Sequence, residues 1–347
     1  MMKLHIAAML ASQGRHLSFH TPGHKRRGKD ITELSYSDNL LSPAGVIKTA
    51  EEDCAKILGA RKSYFLTDGS TCGIFSMLYA LKAAGCKNVA VPTRSHRSVQ
   101  NALEVFGLDM VPLKQVNRYG IPAQPTEEEI AAAMKKADAL LLTSPDYYGY
   151  FAPLEAARRL CNEAGKPLIV DGAHGSHLHG TPMHAGEFAD MWVDGLHKSL
   201  PALTQGAIVS AKSENWAALL GHGVRIFRTT SPSYPILASI EHAVKYPRNE
   251  KIEVLAEDIK RQVGALKNDD WTKIVVPFGK YADKAQHELE KGGIYPEFND
   301  GNYLLFYLSP CTRAAHLKKL KRVLQRLPRD MVGGNAVQGR IPIYSEQ

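Results

Sequence analysis

The sequence predicts an α/β fold, a mostly parallel sheet covered by helices, with a small α+β domain at its C-terminal end. From about residue 50 to 245, short β-rich apolar runs alternate with amphipathic stretches, the pattern of strands joined by crossover helices. Two of those runs, 139–143 and 167–170, are apolar almost throughout, as strands buried on both faces are. Beyond residue 246 a long polar helix and fewer strands follow, so the character of the chain changes there. These observations divide it into an N-terminal arm (1–50), a large domain (51–245) and a small domain (246–347).

The elements follow in order. Residues 1–11 read as an amphipathic helix; Gln13, Arg15 and His16 come next without a cleavage site, which argues against a signal peptide. Thr21-Pro22-Gly23 and Ser42-Pro43-Ala44-Gly45 break the arm into turns. Strands are predicted at 63–67, 89–92, 109–113, 139–143, 167–171, 191–194 and 207–210, and helices at 51–58, 73–84, 98–106, 127–136, 154–164 and 233–245. The small domain reads as helix 250–267, strand 272–276, helix 282–291, strand 303–308 and a last basic helix with Leu317, Leu320, Val323, Leu324 and Leu327 on its apolar face.

With 347 residues, 44% of them apolar, the chain can bury one large core and a smaller second one. No apolar run reaches the roughly 18 residues of a membrane span, so no membrane partner is expected. Five scattered cysteines (Cys54, Cys72, Cys86, Cys161, Cys311), never spaced C-x-x-C, are the usage of reduced thiols in a cytoplasmic protein. The net charge of +8 raises the question of nucleic acid. Its excess is local: Lys25, Arg26, Arg27 and Lys29 near the start, and Lys318, Lys319, Lys321, Arg322, Arg326 and Arg329 near the end. The second group lies opposite an apolar helix face, where a solvated surface is the simplest reading. No nucleic-acid-binding motif accompanies it, and no such partner is expected.

Three segments carry the chemistry. Thr67-Asp68-Gly69-Ser70-Thr71-Cys72-Gly73 is a hydroxyl-rich turn running into an apolar helix, where backbone N–H groups and the hydroxyls of Ser70 and Thr71 suit a phosphate; an ordinary N-cap is the plainer alternative. Val170-Asp171-Gly172-Ala173-His174-Gly175 ends a buried strand on Asp171, whose carboxylate needs a partner to offset desolvation. A protonated pyridine nitrogen is one such partner, and a turn cap is another. Asp194-Gly195-Leu196-His197-Lys198-Ser199 sets a lysine just past a strand, at the edge where open parallel sheets bind ligands. Alone, Lys198 reads as a surface lysine; beside the other two segments it supplies an amine for a Schiff base. Phosphate cradle, buried acid and amine are the parts that a pyridoxal 5'-phosphate (PLP) enzyme needs. His96, just after a strand, is placed to stack on a ring or to be a polar residue at a helix start. His174, His177, His179 and His184, with Asp171, resemble a metal site, but no further carboxylate or cysteine group is well placed, and none is assigned.

These residues resemble the PLP-dependent ornithine/lysine/arginine decarboxylases of the aspartate-aminotransferase fold (PLP fold type I), in particular the small bacterial branch. The resemblance runs over roughly residues 15–245: Phe19-His20-Thr21-Pro22-Gly23-His24-Lys25, Pro43-Ala44-Gly45-Val46-Ile47-Lys48, Thr67 to Gly73, Arg94-Ser95-His96-Arg97-Ser98, Thr143-Ser144-Pro145-Asp146-Tyr147-Tyr148-Gly149, Asp171 to Gly175, His197 to Thr204, and Thr229-Thr230-Ser231-Pro232-Ser233-Tyr234. It implies that Lys198 is the Schiff-base lysine, that Asp171 faces the pyridine nitrogen and that His96 stacks on the ring. Ser70, Thr71, Cys72 and His197 would line the phosphate side, with His174 near ring and substrate. By the same resemblance CO2 leaves a bound basic amino acid, and Lys198 or a histidine returns a proton to Cα, giving a diamine or agmatine for polyamine biosynthesis. A homodimer or higher homo-oligomer with shared sites is implied, Thr229-Thr230-Ser231 serving the neighbour. The sequence departs from the family at Asp68 (usually Asn), Cys72 (usually Thr, Ser or a small residue), Asp146 (usually Thr), Gly172 (usually Glu) and Gly195-Leu196 (usually Ser-Thr or Ser-Ala), and it lacks the family's longer C-terminal region. Another fold-type-I reaction (aminotransferase, aldolase or lyase) and a catalytically degenerate PLP-binding relative remain alternatives.

Overall fold

The computed structural model describes residues 3–12, 17–25, 30–115, 117–118 and 120–327. Gln13, Arg15, His16, Arg26, Arg27, Lys29, Arg329 and the segment 332–347 therefore lie outside the described residues. The chain forms two compact units, one of residues 1–114, 125–144 and 152–246, the other of 115–124, 145–151 and 247–347.

The first unit is built on a seven-stranded sheet. Its strands are β1 (Lys62–Leu66), β2 (Asn88–Pro92) and β3 (Asp109–Leu113), then, past a short hairpin β4 (Asn117–Arg118) and β5 (Ile121–Pro122) of the second unit, β6 (Ala139–Thr143), β7 (Leu168–Gly172), β8 (Met191–Asp194) and β9 (Ala207–Ala211). Their order across the sheet is β1-β9-β8-β7-β6-β2-β3. Neighbours from β3 to β8 are parallel, and β9 is antiparallel to both β8 and β1. Alternate side chains serve opposite faces: Leu140, Leu142, Leu168 and Val170 enter one apolar cluster, while Ala139, Leu141, Ile169 and Met191 enter the other. Burying each such Leu, Ile or Val side chain is worth about 1.5–3 kcal/mol, which is why continuous apolar runs form these strands.

The helices depart from expectation at their ends, each for a local reason. The helix expected at 51–58 spans Val46–Ile57. Its start is fixed by the carboxylate of Asp38, which accepts from the N–H groups of Ala44, Gly45, Ile47 and Lys48 at 2.9–3.3 Å. A cap from eight residues upstream leaves no pattern beside the helix it starts. Those donors hold the Asp38 carboxyl below its usual range despite burial, which acts the other way. The opening helix, His5–Ala11, is likewise held by a distant acid, its first N–H groups donating to Glu241 at 2.7 and 2.9 Å. Helix Glu214–Phe227 was not expected at all. Its Gly221 and Gly223 lower helix propensity, yet a Cβ at 221 would fall 2.4 Å from Tyr64 Oη and one at 223 would fall 2.8 Å from the Ser76 carbonyl. The packing demands what the propensity opposes.

The second unit holds a three-stranded antiparallel sheet, β10 (Lys273–Pro277), β12 (Tyr303–Tyr307) and β11 (Phe298–Asn299) in that spatial order. Helices Glu250–Gln262, Ala282–Lys291 and Ala314–Arg326 share an apolar cluster with it, including Ile274, Val276, Leu304 and Phe306. Among the described residues no helix is long and apolar enough to cross a membrane.

Candidate active site

The carboxyl ends of β1, β2, β6, β7 and β8 lead directly into the segments that the sequence singled out. In a parallel sheet this edge gathers strand ends and helix starts where the strand order reverses, here between β2 and β6.

Lys198 lies in the one-turn helix Leu196–Ser199 just past β8, its N–H donating to the Gly195 carbonyl at 2.9 Å. Its Nζ is 3.1 Å from His174 Nε2, on the turn just past β7. Asp171 is next to last in β7 and 4% exposed, and among the described residues its carboxylate accepts one hydrogen bond, from the Ala173 N–H at 3.1 Å. His96 caps helix Arg97–Phe106 and shares an electrostatic environment with both: burial pushes its imidazole below the ordinary value, the Asp171 charge acts upward and the Lys198 charge downward. Four sequence-predicted groups from three strand ends thus converge.

The hydroxyl-rich turn sits differently from its reading. The helix expected from residue 73 starts at Gly69, so Ser70 and Thr71 occupy its first turn. The Gly69 N–H is taken by the Gln205 carbonyl at 2.9 Å. Ser70 Oγ is buried with no hydrogen-bond partner among the described residues. A Cβ at residue 195 would come within 2.9 Å of that Oγ and 2.5 Å of the Ala173 carbonyl, so Gly195 lets the Lys198 turn approach both segments. Thr71 is exposed, whereas Cys72 is packed among apolar side chains, and burial pushes its thiol up to about 12. His197 lies 3.1 Å through Nδ1 from the Gly206 carbonyl, and burial lowers its pKa. Asp68 accepts from the Thr229 N–H at 3.2 Å. Asp146 accepts from the N–H groups of Tyr148 and Tyr150, both at 2.9 Å, and burial raises its carboxyl to about 6.

Sequence reasoning passed over several groups here. The hydroxyls of Thr67, Ser95 and Ser199 are buried without a partner among the described residues, each beside a residue already singled out. Buried polar groups are paired in the great majority, so these orphans stand out among the described residues. Their signal in the sequence was adjacency to Asp68, His96 and Lys198. A second miss is the carboxylate of Asp194, which lies 3.2 and 3.3 Å from His184 Nε2 and accepts from Trp192 Nε1 at 3.0 Å. Among the described residues no three His, Cys, Asp or Glu side chains are grouped to hold a metal ion.

Comparison with known proteins bears on this site. A family model described as Orn/Lys/Arg decarboxylase, major domain, matches residues 23–311, further along the chain than the motifs reach. The protein YaaO of Bacillus subtilis (strain 168) is 28% identical, the match covering 94% of this chain and 78% of YaaO. An arginine decarboxylase of Halalkalibacterium halodurans is 30% identical over 72% of this chain and 57% of its own length. The crystal structure of the Francisella novicida lysine decarboxylase LdcF shares the fold at a TM-score of 0.77 and 20% identity, over 92% of this chain and 59% of that one. The chain thus spans somewhat over half the length of those two decarboxylases.

Proposed function

The chain belongs to the Orn/Lys/Arg decarboxylase family, and from that premise we propose that it binds PLP at Lys198 and decarboxylates a basic amino acid, lysine, arginine or ornithine. The observation that carries this reading is the Lys198 Nζ to His174 Nε2 contact of 3.1 Å at the sheet edge that also bears Asp171 and the orphan hydroxyls.

The residues present fit the coenzyme, since a buried Ser70 Oγ without a partner at a helix start is a donor in want of an anion. PLP, when bound, supplies an aldehyde that captures an amine and a cationic ring that takes up the electrons of the broken Cα–carboxylate bond. Lys198 would hold it covalently, and Ser70, Thr71 and the N–H groups of their helix turn would bind its phosphate. His197 donates Nδ1–H to Gly206, so it reaches the phosphate through Nε2 and needs a second proton to donate there. Asp171, with a single hydrogen bond of its own, keeps acceptor capacity for a cationic ring N–H. His96 would lie against the ring face, and Cys72 would line the phosphate side only through its backbone, its thiol being held neutral in the core. Lys198 Nζ and His174 Nε2 are near enough for a proton to pass between them, so the pair can hold a proton and deliver it to the substrate Cα.

On this reading the protein acts in the cytoplasm as a homo-oligomer with shared sites and forms a diamine or agmatine. Product analysis with lysine, arginine and ornithine, each with and without a keto acid, tests it. Release of CO2 with the matching amine, independent of keto acid, is the expected result. Amino-group transfer to the keto acid without CO2 would replace it with an aminotransferase reading.

A further inference from the structure

Two histidines of the site are held in opposite tautomers. His197 Nδ1 lies 3.1 Å from the Gly206 carbonyl, which can only accept, so its proton is on Nδ1. At His96 the pattern is reversed. The Ser98 backbone N–H donates to His96 Nδ1 at 3.2 Å, and Ser98 Oγ lies 2.7 Å from the same nitrogen. A backbone N–H can only donate, so Nδ1 is a bare lone pair and the neutral ring carries its proton on Nε2. Nε2 has no hydrogen-bond partner among the described residues. Ser98, which holds the His96 ring at the helix start, is buried.

Protonating Nδ1 would set a new N–H against the Ser98 N–H and turn the hydroxyl from donor to acceptor, so both contacts favour the uncharged ring. Asp171, on β7, and Lys198, past β8, are the charged groups whose fields reach His96, and they act in opposite directions. Burial favours the neutral ring, and the hydrogen bonds at Nδ1 act in the same direction and select which nitrogen keeps the proton.

We infer that Ser98 is a positioning residue that fixes His96 as its neutral Nε2–H tautomer. Its consequence is electrostatic. A neutral imidazole can lie against a cationic coenzyme ring and beside the Lys198 amine, whereas an imidazolium would repel both. This deepens the PLP reading and rests on it for what the ring faces, but the tautomer itself does not depend on it.

The test uses the full-length protein with 15N-labelled histidine, first without added PLP, with the His96 signals assigned by their loss in His96→Gln. Wild type is expected to show an unprotonated Nδ1 and a protonated Nε2 at neutral pH. Ser98→Ala removes the hydroxyl and keeps the backbone donor. Losing one hydrogen bond should raise the His96 titration midpoint by about half to one pH unit and admit the second tautomer. Ser98→Thr should restore both. With PLP added, the pH at which coenzyme affinity falls on acidification should rise by the same amount in Ser98→Ala. A wild-type ring protonated on Nδ1, or a Ser98→Ala midpoint and tautomer equal to wild type, overturns the inference. Should Ser98→Ala not fold, the wild-type tautomer and the Ser98→Thr midpoint decide it. Failure of PLP to bind would sink the functional reading and leave the tautomer measurement standing.

Discussion

Asp171 and Asp194 stand at the ends of neighbouring parallel strands, 4% and 1% exposed, and the protein treats them in opposite ways. Asp194 is enclosed by side-chain donors: His184 presents Nε2–H to both carboxylate oxygens, its Nδ1 being occupied as acceptor by the Gly186 N–H, and Trp192 adds its indole N–H. Among the described residues, the Asp171 carboxylate has one backbone N–H. A buried carboxylate costs several kcal/mol unless hydrogen bonds or charge answer it. The chain answers that of Asp194 from its own side chains and leaves most of the answer for Asp171 to something else. On the proposed function, the difference separates an acid that holds the fold together from one that would receive a ligand. Among the described residues, the hydroxyls of Ser70, Thr67, Ser95 and Ser199 are also buried without a partner.

This contrast can be broken by experiment. Asp194→Ala should have the largest effect, a loss of about 3–5 kcal/mol of stability in urea denaturation, because two buried donors lose their acceptor together. A loss below about 1 kcal/mol would put Asp194 in the same class as Asp171. Asp171→Asn should do the reverse. Its urea midpoint should stay close to wild type while turnover falls by a factor on the order of 10²–10³, the scale of removing one preorganised electrostatic contact. Gly195→Ala sharpens the comparison at the turn between the two acids and Lys198. Its methyl group meets the Ala173 carbonyl and Ser70 Oγ, so stability should drop by about 1–3 kcal/mol, and PLP affinity should fall with it as Ser70 is displaced.

The last effect concerns a third buried acid, Glu51, paired with Arg228 at 3.5 Å. Burial raises the Glu51 carboxyl to about 7 and lowers Arg228, so enclosure outweighs their pairing on both sides. The folded protein holds that proton more tightly than the unfolded chain. Its contribution to stability is therefore fully present below about pH 4.5 and declines as the pH rises to about 7. Glu51→Gln should flatten this part of a plot of Tm against pH, and an unchanged slope would refute the assignment.

The sheet was legible because its central strands are buried on both faces: runs such as 139–143 and 191–194 need no partner knowledge to be seen. Helix starts were less so where the cap comes from afar, as from Asp38 and Glu241, and a whole helix was lost where Gly221 and Gly223 serve packing against Tyr64 and Ser76. In the site, Lys198, His174, Asp171 and His96 could be named from their places after strands. The argument applied to Asp171, a carboxylate closing an apolar strand, applies word for word to Asp194. Only contacts with His184 and Trp192 tell the two apart, and those contacts are a matter of three dimensions. His184 itself was grouped with its neighbouring histidines as a metal resemblance, since sequence spacing does not reveal that its ring turns to Asp194.

The central claim is that one amine, Lys198 Nζ, captures PLP at the edge bearing Asp171. The most direct measurement is borohydride reduction of the PLP-treated protein followed by peptide mass mapping. The account predicts a pyridoxyl group on Lys198, absent in Lys198→Ala. A label on another lysine, or none at saturating PLP, would contradict it.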